Sequence, residues 1–210
     1  YFKYYEHRDM LGAFEAIDRV EARFAECFGR AYTGPVEAVS CDDAEAVLVT
    51  LGSIAGLARE SVARLREQGK RVGLLRIRYM RPFPAKLIAE ALAGAAAVGV
   101  LEKDISFGAE GTVFTNVNSA LQQAGCMVPT FNFVGGLGGD DITSAQMDAM
   151  FDALLDSVGE RGRDDAAAGR SCDDASTGQG VGLGRVSFLG IDFPVASQSA
   201  CGDDCEEGAR

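Results

Sequence analysis

The fold of this chain is decided by the stretch Ala46-Val47-Leu48-Val49-Thr50-Leu51-Gly52-Ser53. Its first six residues form a largely apolar run, which is typical of a strand that is covered on both faces of a sheet. Gly52 and Ser53 then turn the chain, and residues 54–68 carry apolar side chains at helical spacing. Gly69 is placed to end that helix. The stretch therefore predicts a strand–turn–helix unit.

The same unit recurs along the chain. Further strands are predicted over residues 71–80, 97–101 and 130–134, and helices over residues 85–93, 112–123 and 143–158. Repeated strand–helix units of this length require a mostly parallel sheet with right-handed crossovers. A short apolar segment at 186–191 brings the count to about five strands. We therefore predict an open, doubly wound, mostly parallel α/β sheet, with its main domain over residues 36–158.

Residues 1–35 precede this repeat and predict a helical arm. Apolar positions recur there every three or four residues and form one stripe of an amphipathic helix: Met10, Phe14, Ile17, Val20, Phe24 and Phe28. The sequence Thr33-Gly34-Pro35 cannot continue a helix. We expect the arm to pack on the α/β domain.

Residues 159–210 form a tail rich in glycine and aspartate. Such a composition cannot bury enough apolar area to offset its ordering entropy. We expect no regular structure in the tail before a short strand at 186–191, which can pair at a sheet edge. Cys201 and Cys205 form a C-x3-C pair, but even with Cys172 they do not make the four-ligand set of a zinc or iron–sulfur site. We assign no metal ligand.

The composition limits the partners of this chain. Its formal net charge of −11 and isoelectric point of about 4.6 argue against nucleic acid and anionic membrane as partners. No apolar run approaches the ~20 residues of a membrane span. His7 is the single histidine, so a histidine-based metal site is not expected. We interpret the cysteines of the domain as reduced thiols and predict a cytoplasmic protein.

Three turns that follow predicted strands are rich in glycine and small residues, at 52–53, 102–111 and 135–141. The carboxyl ends of parallel strands share one edge, where helix N-termini offer free N–H groups to an anion or a cofactor. The alternative, which we favour, is that glycines permit tight turns and the close approach of a partner domain. The residues of this candidate interface or ligand edge are Gly52, Ser53, Glu102, Lys103, Phe107, Gly108, Gly111, Gly138, Asp140 and Asp141.

Two charged groups invite a functional interpretation. Residues 102–104 could form an acid–base set, but the sequence supplies no desolvating pocket, and we favour a role in turn ordering or at an interface. Arg76 and Arg78 share one strand face, with Arg81 at its exit. These arginines could meet CoA phosphates or an acidic partner surface, and we favour ion pairs at subunit contacts.

Four motifs together carry a resemblance to a known family. They are residues 48–53, Arg81-Pro82-Phe83-Pro84, residues 98–111 and residues 135–143. Across residues 1–158 the chain resembles the C-terminal, transketolase-C-terminal-like part of the α chain in the 2-oxoacid:ferredoxin oxidoreductases. The resemblance implies a multisubunit enzyme that oxidises pyruvate with CoA to acetyl-CoA and CO2 and passes electrons through iron–sulfur clusters to ferredoxin. It also implies thiamine diphosphate and Mg as cofactors and the other domains and subunits of the oxidoreductase as partners.

The signatures of that chemistry are absent from this sequence. There is no Gly-Asp-Gly followed tens of residues later by Asn, as the family uses for thiamine diphosphate, and no grouped cysteine run for clusters. We therefore assign no catalytic or cofactor-binding residue and predict an architectural, subunit-packing role. The alternatives are a stand-alone module that binds an anion or nucleotide, and the same family acting on 2-oxoisovalerate or 2-oxoglutarate.

Overall fold

The computed structural model describes residues 1–32, 34–167 and 186–189. Its strands are β1 (Val36–Val39), β2 (Ala46–Leu51), β3 (Val72–Ile77), β4 (Ala97–Glu102), β5 (Thr130–Val134) and β6 (Val186–Phe188). They form one sheet in the order β1-β3-β2-β4-β5-β6. β1 pairs antiparallel with β3, and every other pairing is parallel. The predicted open, mostly parallel sheet is confirmed.

Helices cover both faces of this sheet. They are α1 (Phe2–Leu11), α2 (Ala13–Phe28), α3 (Ala55–Glu67), α4 (Ala85–Leu92), α5 (Thr112–Gln123) and α6 (Ser144–Ala167). Side chains alternate between the faces along each strand. Leu48 therefore belongs to the core with α3 and α6, whereas Val49 belongs to the core with α4 and α5. The domain is doubly wound, as predicted.

Strand β1 is a sixth strand that the sequence analysis does not predict. It is four residues long and only partly buried, so its pattern carries little signal of its own. It becomes a strand because it pairs with β3, where Glu37 stands opposite Arg76. The Glu37 carboxylate lies 3.5 Å from the Arg76 guanidinium and 2.8 Å from that of Arg59. Tertiary pairing therefore defines this edge strand.

The arm consists of two helices: α2 corresponds to the predicted helix that ends at Phe28, whereas α1 and the break between them were not predicted. Gly12 separates α1 from α2. Phe14 and Ile17 are half-buried as predicted, but Val20 is 68% and Phe28 62% exposed. The domain covers only one side of α2, so part of the apolar stripe faces outward.

A polar cluster holds α2 on the domain. The Glu21 carboxylate accepts hydrogen bonds from the Gly34 backbone N–H (3.2 Å) and from the Tyr79 hydroxyl, and it lies 3.4 Å from the Arg78 guanidinium. Arg78 also donates to the Gly34 carbonyl (2.9 Å) and stacks 4.5 Å from the centre of the Tyr32 ring. The side chains of Glu21 and Arg78 are only 14% and 12% exposed. The arm packs on the domain through this junction.

The C-terminal helix is longer than predicted. We expected it to end near residue 158, and α6 continues to Ala167. Gly159 does not stop it, because a glycine inside a helix costs only about 1 kcal/mol relative to alanine. β6 pairs in parallel with β5, which confirms the short edge strand within 186–191. The rest of the predicted tail, with Cys172, Cys201 and Cys205, lies outside the described residues.

Among the described residues, none of the helices has the length and apolar character needed to cross a membrane.

Candidate functional site at the carboxyl edge of the sheet

The loops that follow β2, β4 and β5 meet at one edge of the sheet, as the topology predicts. β4 lies between β2 and β5, with Thr50 in register with Leu101 and Glu102 with Val134. A cleft of about 230 Å³ separates the β2 loop from the β4 loop. Ser53 lines one side of the cleft and residues 102–104 line the other.

Glu102 is the buried polar centre of this edge. It is the last residue of β4 and is 5% exposed. Its carboxylate accepts hydrogen bonds from the backbone N–H groups of Val113 (2.7 Å) and Phe114 (3.2 Å). These groups lie in the first turn of α5, where helix N–H groups have no partner within the helix. Glu102 therefore closes the N-terminus of α5.

Asn132 completes the cluster, and sequence reasoning missed it. Its side-chain amide donates to Glu102 (2.8 Å), and its side-chain oxygen accepts from the Gly111 N–H (2.9 Å). Asn132 is 1% exposed in the middle of β5, so its polar atoms need partners within the protein. The available signal was an asparagine at the centre of an otherwise apolar strand.

Gly111 is required by the close approach of Glu102. A Cβ at this position would lie 1.9 Å from a Glu102 carboxylate oxygen. The backbone φ of Gly111 is −70°, which any residue adopts, so the constraint is space alone. Gly111 therefore permits the close approach of a side chain of the same chain, and the approach of a partner domain at this edge stays a prediction.

Burial raises the pKa of Glu102, and its hydrogen bonds from Val113, Phe114 and Asn132 lower it only in part. Every hydrogen bond of its carboxylate joins it to α5 or to β5. Asp104 makes a similar contact with the start of α5 at the surface, where it accepts a hydrogen bond from the Thr112 hydroxyl (2.7 Å). This geometry favours turn ordering over an acid–base set for residues 102–104.

Lys103 connects the second loop to the third. A Cβ placed on Gly136 would lie 2.7 Å from Lys103 Cε and 2.9 Å from its Nζ, so the lysine chain lies directly over that glycine. The Gly135 N–H donates to the Glu102 carbonyl (3.2 Å) at the same junction. The loops at 102–111 and 135–141 therefore form one surface.

The outer part of the edge is exposed. Phe107 is 98% exposed at the tip of the 102–111 loop, next to Gly108 with φ of +80°. Asp140 and Asp141 are exposed on the third loop, where an Asp140 carboxylate oxygen accepts from the Asp141 N–H (3.0 Å). Gly52 and Gly138 have open space on the side where a Cβ would stand. The structure thus brings Ser53, Glu102 and Lys103 together at the cleft. Phe107, Asp140 and Asp141 lie outside it.

The three arginines in and directly after β3 make contacts with other residues of this chain. Arg76 pairs with Glu37, and Arg78 pairs with Glu21. Arg81 donates to the Met80 carbonyl (2.7 Å) and lies 6.0 Å from the centre of the Phe83 ring. The expected ion pairs exist for Arg76 and Arg78, inside this chain.

The described part of the chain holds no group of three or more His, Cys, Asp or Glu side chains arranged to bind a metal ion. Cys27, Cys41 and Cys126 are free thiols, and Cys41 donates to the Leu74 carbonyl at 3.3 Å. Burial raises the pKa of the Cys41 thiol. This thiol is therefore a packed core group with little thiolate character.

Comparison with known proteins identifies the domain that carries this edge. Residues 44–147 match the family model of pyruvate:ferredoxin oxidoreductase core domain II. The chain belongs to the pyruvate:ferredoxin oxidoreductase family. The matched segment of core domain II runs from the loop before β2 into α6 and includes all three loops of the carboxyl edge.

Two relatives of this core domain II come from archaea. Pyruvate synthase subunit PorA of Methanothermobacter thermautotrophicus is 40% identical over 148 residues, covering 70% of this chain and 37% of the relative. Ketoisovalerate oxidoreductase subunit VorA of Pyrococcus abyssi is 37% identical over 152 residues, covering 70% of this chain and 38% of the relative. The chain thus spans well under half the length of the curated relatives it matches.

One solved structure, a split-gene transketolase described as an inactive tetramer, aligns with a TM-score of 0.47 and 17% identity over 61% of this chain and 45% of that chain. This TM-score is too low to define a shared fold. The α/β fold assignment rests on the strand order, the register and the family membership of the chain.

Proposed function

We propose that this chain is the core-domain-II part of a cytoplasmic 2-oxoacid:ferredoxin oxidoreductase and that its role there is architectural. In this proposal the parent enzyme oxidises pyruvate with CoA to acetyl-CoA and CO2 and passes electrons to ferredoxin. The match over residues 44–147 and the 40% identity to a pyruvate synthase subunit support it. The ketoisovalerate relative keeps 2-oxoisovalerate as the alternative substrate.

The observation that carries the architectural role is that the buried and the exposed residues of the carboxyl edge have different roles. The buried polar side chains, Glu102 and Asn132, form hydrogen bonds with the N-terminus of α5 and with each other. The accessible groups include a fully exposed aromatic ring, Phe107, the exposed side chains of Lys103, Asp140 and Asp141, and glycines that leave open space around the loops. An exposed aromatic ring at a loop tip is typical of an anchor that fills a pocket in a partner. The edge therefore suits docking better than chemistry.

The edge does not fit the cofactors that the family implies. A thiamine diphosphate–Mg site needs oxygen ligands for the cation. Glu102 is already hydrogen-bonded to α5, and Asp140 is turned onto the backbone of its own loop. We therefore assign thiamine diphosphate, Mg and the iron–sulfur clusters to other domains or subunits in this proposal, and we derive no reaction step from these residues.

The test uses Phe107→Ala in the assembled oxidoreductase. Loss of a buried anchor of this size weakens association by about 1–3 kcal/mol, which corresponds to roughly 5- to 150-fold in the dissociation constant. The measurement is dissociation of this chain from its partners by sedimentation or interferometry. Met127→Ala is the matched control, because Met127 is 92% exposed and follows α5 at the opposite end of the strands.

Three outcomes would count against the proposal. Weakened binding of an anion or nucleotide with association intact would favour the ligand-binding alternative. Equal loss from Phe107→Ala and Met127→Ala would mean that the carboxyl edge is not a specific interface. Unchanged association in both variants would remove Phe107 as the anchor.

A further inference from the structure

The arm, residues 1–32, carries most of the exposed apolar surface of this protein. Fourteen large apolar side chains are exposed among the described residues, and nine of them lie in the arm: Tyr1, Phe2, Tyr4, Tyr5, Met10, Leu11, Val20, Phe28 and Tyr32. Apolar surface concentrated in this way marks an interaction site rather than ordinary surface.

Among the described residues, helix α1 has no tertiary contact that would hold it folded. None of its residues is buried, and no side chain caps its N-terminus. Its stabilising contacts are local and exposed: Lys3 with Glu6 at 2.7 Å and Arg8 with Asp9 at 2.8 Å. Exposed pairs of this kind contribute about 0–1 kcal/mol. Helices shorter than about 12–15 residues are marginal in water, and α1 has 10 residues.

Helix α2, by contrast, is fixed to the domain. The buried junction of Glu21, Arg78 and Tyr79 sets its position. Gly12 then separates α1 from this fixed helix, and a glycine propagates helix poorly. The arm thus consists of the anchored helix α2 and, before it in the sequence, helix α1, which needs an external surface to cover it.

The charge of the arm indicates what kind of surface would cover it. Its five basic and six acidic side chains nearly cancel, whereas the whole chain carries −11. Several of these charges are already paired within the arm or with the domain. A neutral, aromatic-rich patch fits an apolar partner face of the permanent type. A second copy fits less well, because two chains of charge −11 repel each other.

We infer that residues 1–32 are a docking surface for an apolar, weakly charged face of the oxidoreductase, and that α1 becomes stably helical only on that face. The occupant is the polypeptide that corresponds to the part of the matched relatives that this chain does not span, which is the larger part of their length. The inference rests on the proposed function, but it concerns a different surface from the carboxyl edge.

Hydrogen exchange of the amides at residues 2–11 tests it. In the 210-residue chain alone, at two concentrations tenfold apart, these amides exchange with little protection while those of β2 and β4 are protected. In the assembled oxidoreductase, the same amides slow by at least tenfold. A second measurement compares incorporation of Phe2→Ala/Tyr4→Ala with that of Met127→Ala, since Phe2 and Met127 are equally exposed at 92%. Only the arm variant is expected to lose incorporation.

Each other result overturns the inference in a distinguishable way. Fast exchange at residues 2–11 inside an assembly that contains the chain removes the arm as a docking surface and leaves the proposed function standing. Protection in the isolated chain that rises with concentration, together with a doubled mass, identifies a second copy as the occupant. Failure of the wild-type chain to enter any such assembly defeats the proposed function, and the inference with it.

Discussion

At the scale of single residues, the contacts of Glu102 favour a structural role for this acidic side chain over that of a catalytic acid. The residue stands where β4 ends, at the position where an open α/β sheet commonly presents functional groups. It turns inward instead and accepts hydrogen bonds from two N–H groups of α5 and from Asn132. Its burial and hydrogen bonding therefore serve the loop that displays Phe107.

The pKa of Glu102 predicts a measurable pH dependence of stability. Burial holds this pKa above its usual range, so the folded chain binds the carboxyl proton more tightly than the unfolded chain does. The stabilising contribution is fully present below the unfolded pKa, and it is lost as pH rises through the folded pKa. Glu102→Gln cannot titrate, so the unfolding free energy of the wild type should fall relative to this variant between pH 4 and pH 7 in urea titrations.

Glu110→Gln is the matched control for that prediction, because Glu110 lies on the same loop and is less buried than Glu102. We expect its pH dependence to follow that of the wild type. A Glu102→Gln variant that also tracks the wild type at every pH would mean that the Glu102 carboxyl titrates as an ordinary solvated group.

Gly111→Ala should destabilise the protein, because the new Cβ would overlap the Glu102 carboxylate at 1.9 Å. Overpacking of this kind costs about 1–3 kcal/mol. Gly56→Ala is the comparison, since Gly56 lies in α3 with no atom within 4 Å of a Cβ there. That change should stabilise the helix by about 0.4–1 kcal/mol. Denaturant unfolding of both variants decides the point, and equal effects would contradict the close approach at Gly111.

At the scale of elements, the attachment of α2 depends on a junction rather than on a core. α2 has no fully buried residue, yet Glu21 and Arg78 are nearly enclosed where it meets the domain. Burial and the hydrogen bond from Tyr79 to Glu21 both raise the pKa of Tyr79, so its hydroxyl stays protonated and donates to Glu21. The arm is therefore held by a few polar contacts that a single substitution can weaken.

Glu21→Gln should loosen α2 selectively. It removes the charge that pairs with Arg78 and weakens the contacts to Gly34 and Tyr79, and hydrogen bonds to charged groups contribute about 1.5–3 kcal/mol. We expect faster hydrogen exchange across residues 13–28, with little change in β2 and β4. Glu26→Gln, an exposed change on the same helix, should leave exchange unaltered. Slow exchange in α2 of the Glu21→Gln variant would show that apolar contacts alone hold the arm.

At the scale of the whole molecule, the chain is a folded domain with two candidate docking surfaces. One is the carboxyl edge of the sheet, and the other is the arm. The two differ in character: the edge is acidic, with one exposed ring, and the arm is neutral and rich in aromatic residues. This difference accords with the two docking roles proposed above, which place different neighbours on the two surfaces.

The isolated chain should not bind thiamine diphosphate tightly. It lacks the Gly-Asp-Gly motif of the pyrophosphate–metal site, and the carboxylates of Glu102 and Asp140 at its carboxyl edge are already hydrogen-bonded to backbone N–H groups of this chain. Calorimetric titration with thiamine diphosphate and Mg²⁺ should therefore show no submicromolar binding. In an activity assay, the isolated chain should not oxidise pyruvate. A submicromolar dissociation constant would overturn the architectural role.

The sequence by itself determined the order along the chain of β2 to β6 and α3 to α6, and the family to which the domain belongs. Apolar runs such as 46–51 and helical stripes such as that of α3 are local signals, and local periodicity specifies local structure. The convergence of the three loops also followed, because parallel strands place their carboxyl ends at one edge. The length of α6 did not follow, since its end depends on the small cost of Gly159.

Only the tertiary structure decided which distant residues share a contact. Strand β1 exists through its pairing with β3, and Glu102 caps α5 because Asn132 of β5 stands beside it. Arg78 meets Glu21, 57 positions earlier in the chain. No local pattern encodes these contacts, because their energy comes from burial and pairing between segments that are far apart in sequence. The same reason distinguishes the two helices of the arm. The domain determines which side of α2 is covered, whereas no such surface covers α1 in the part of the chain that the structure describes.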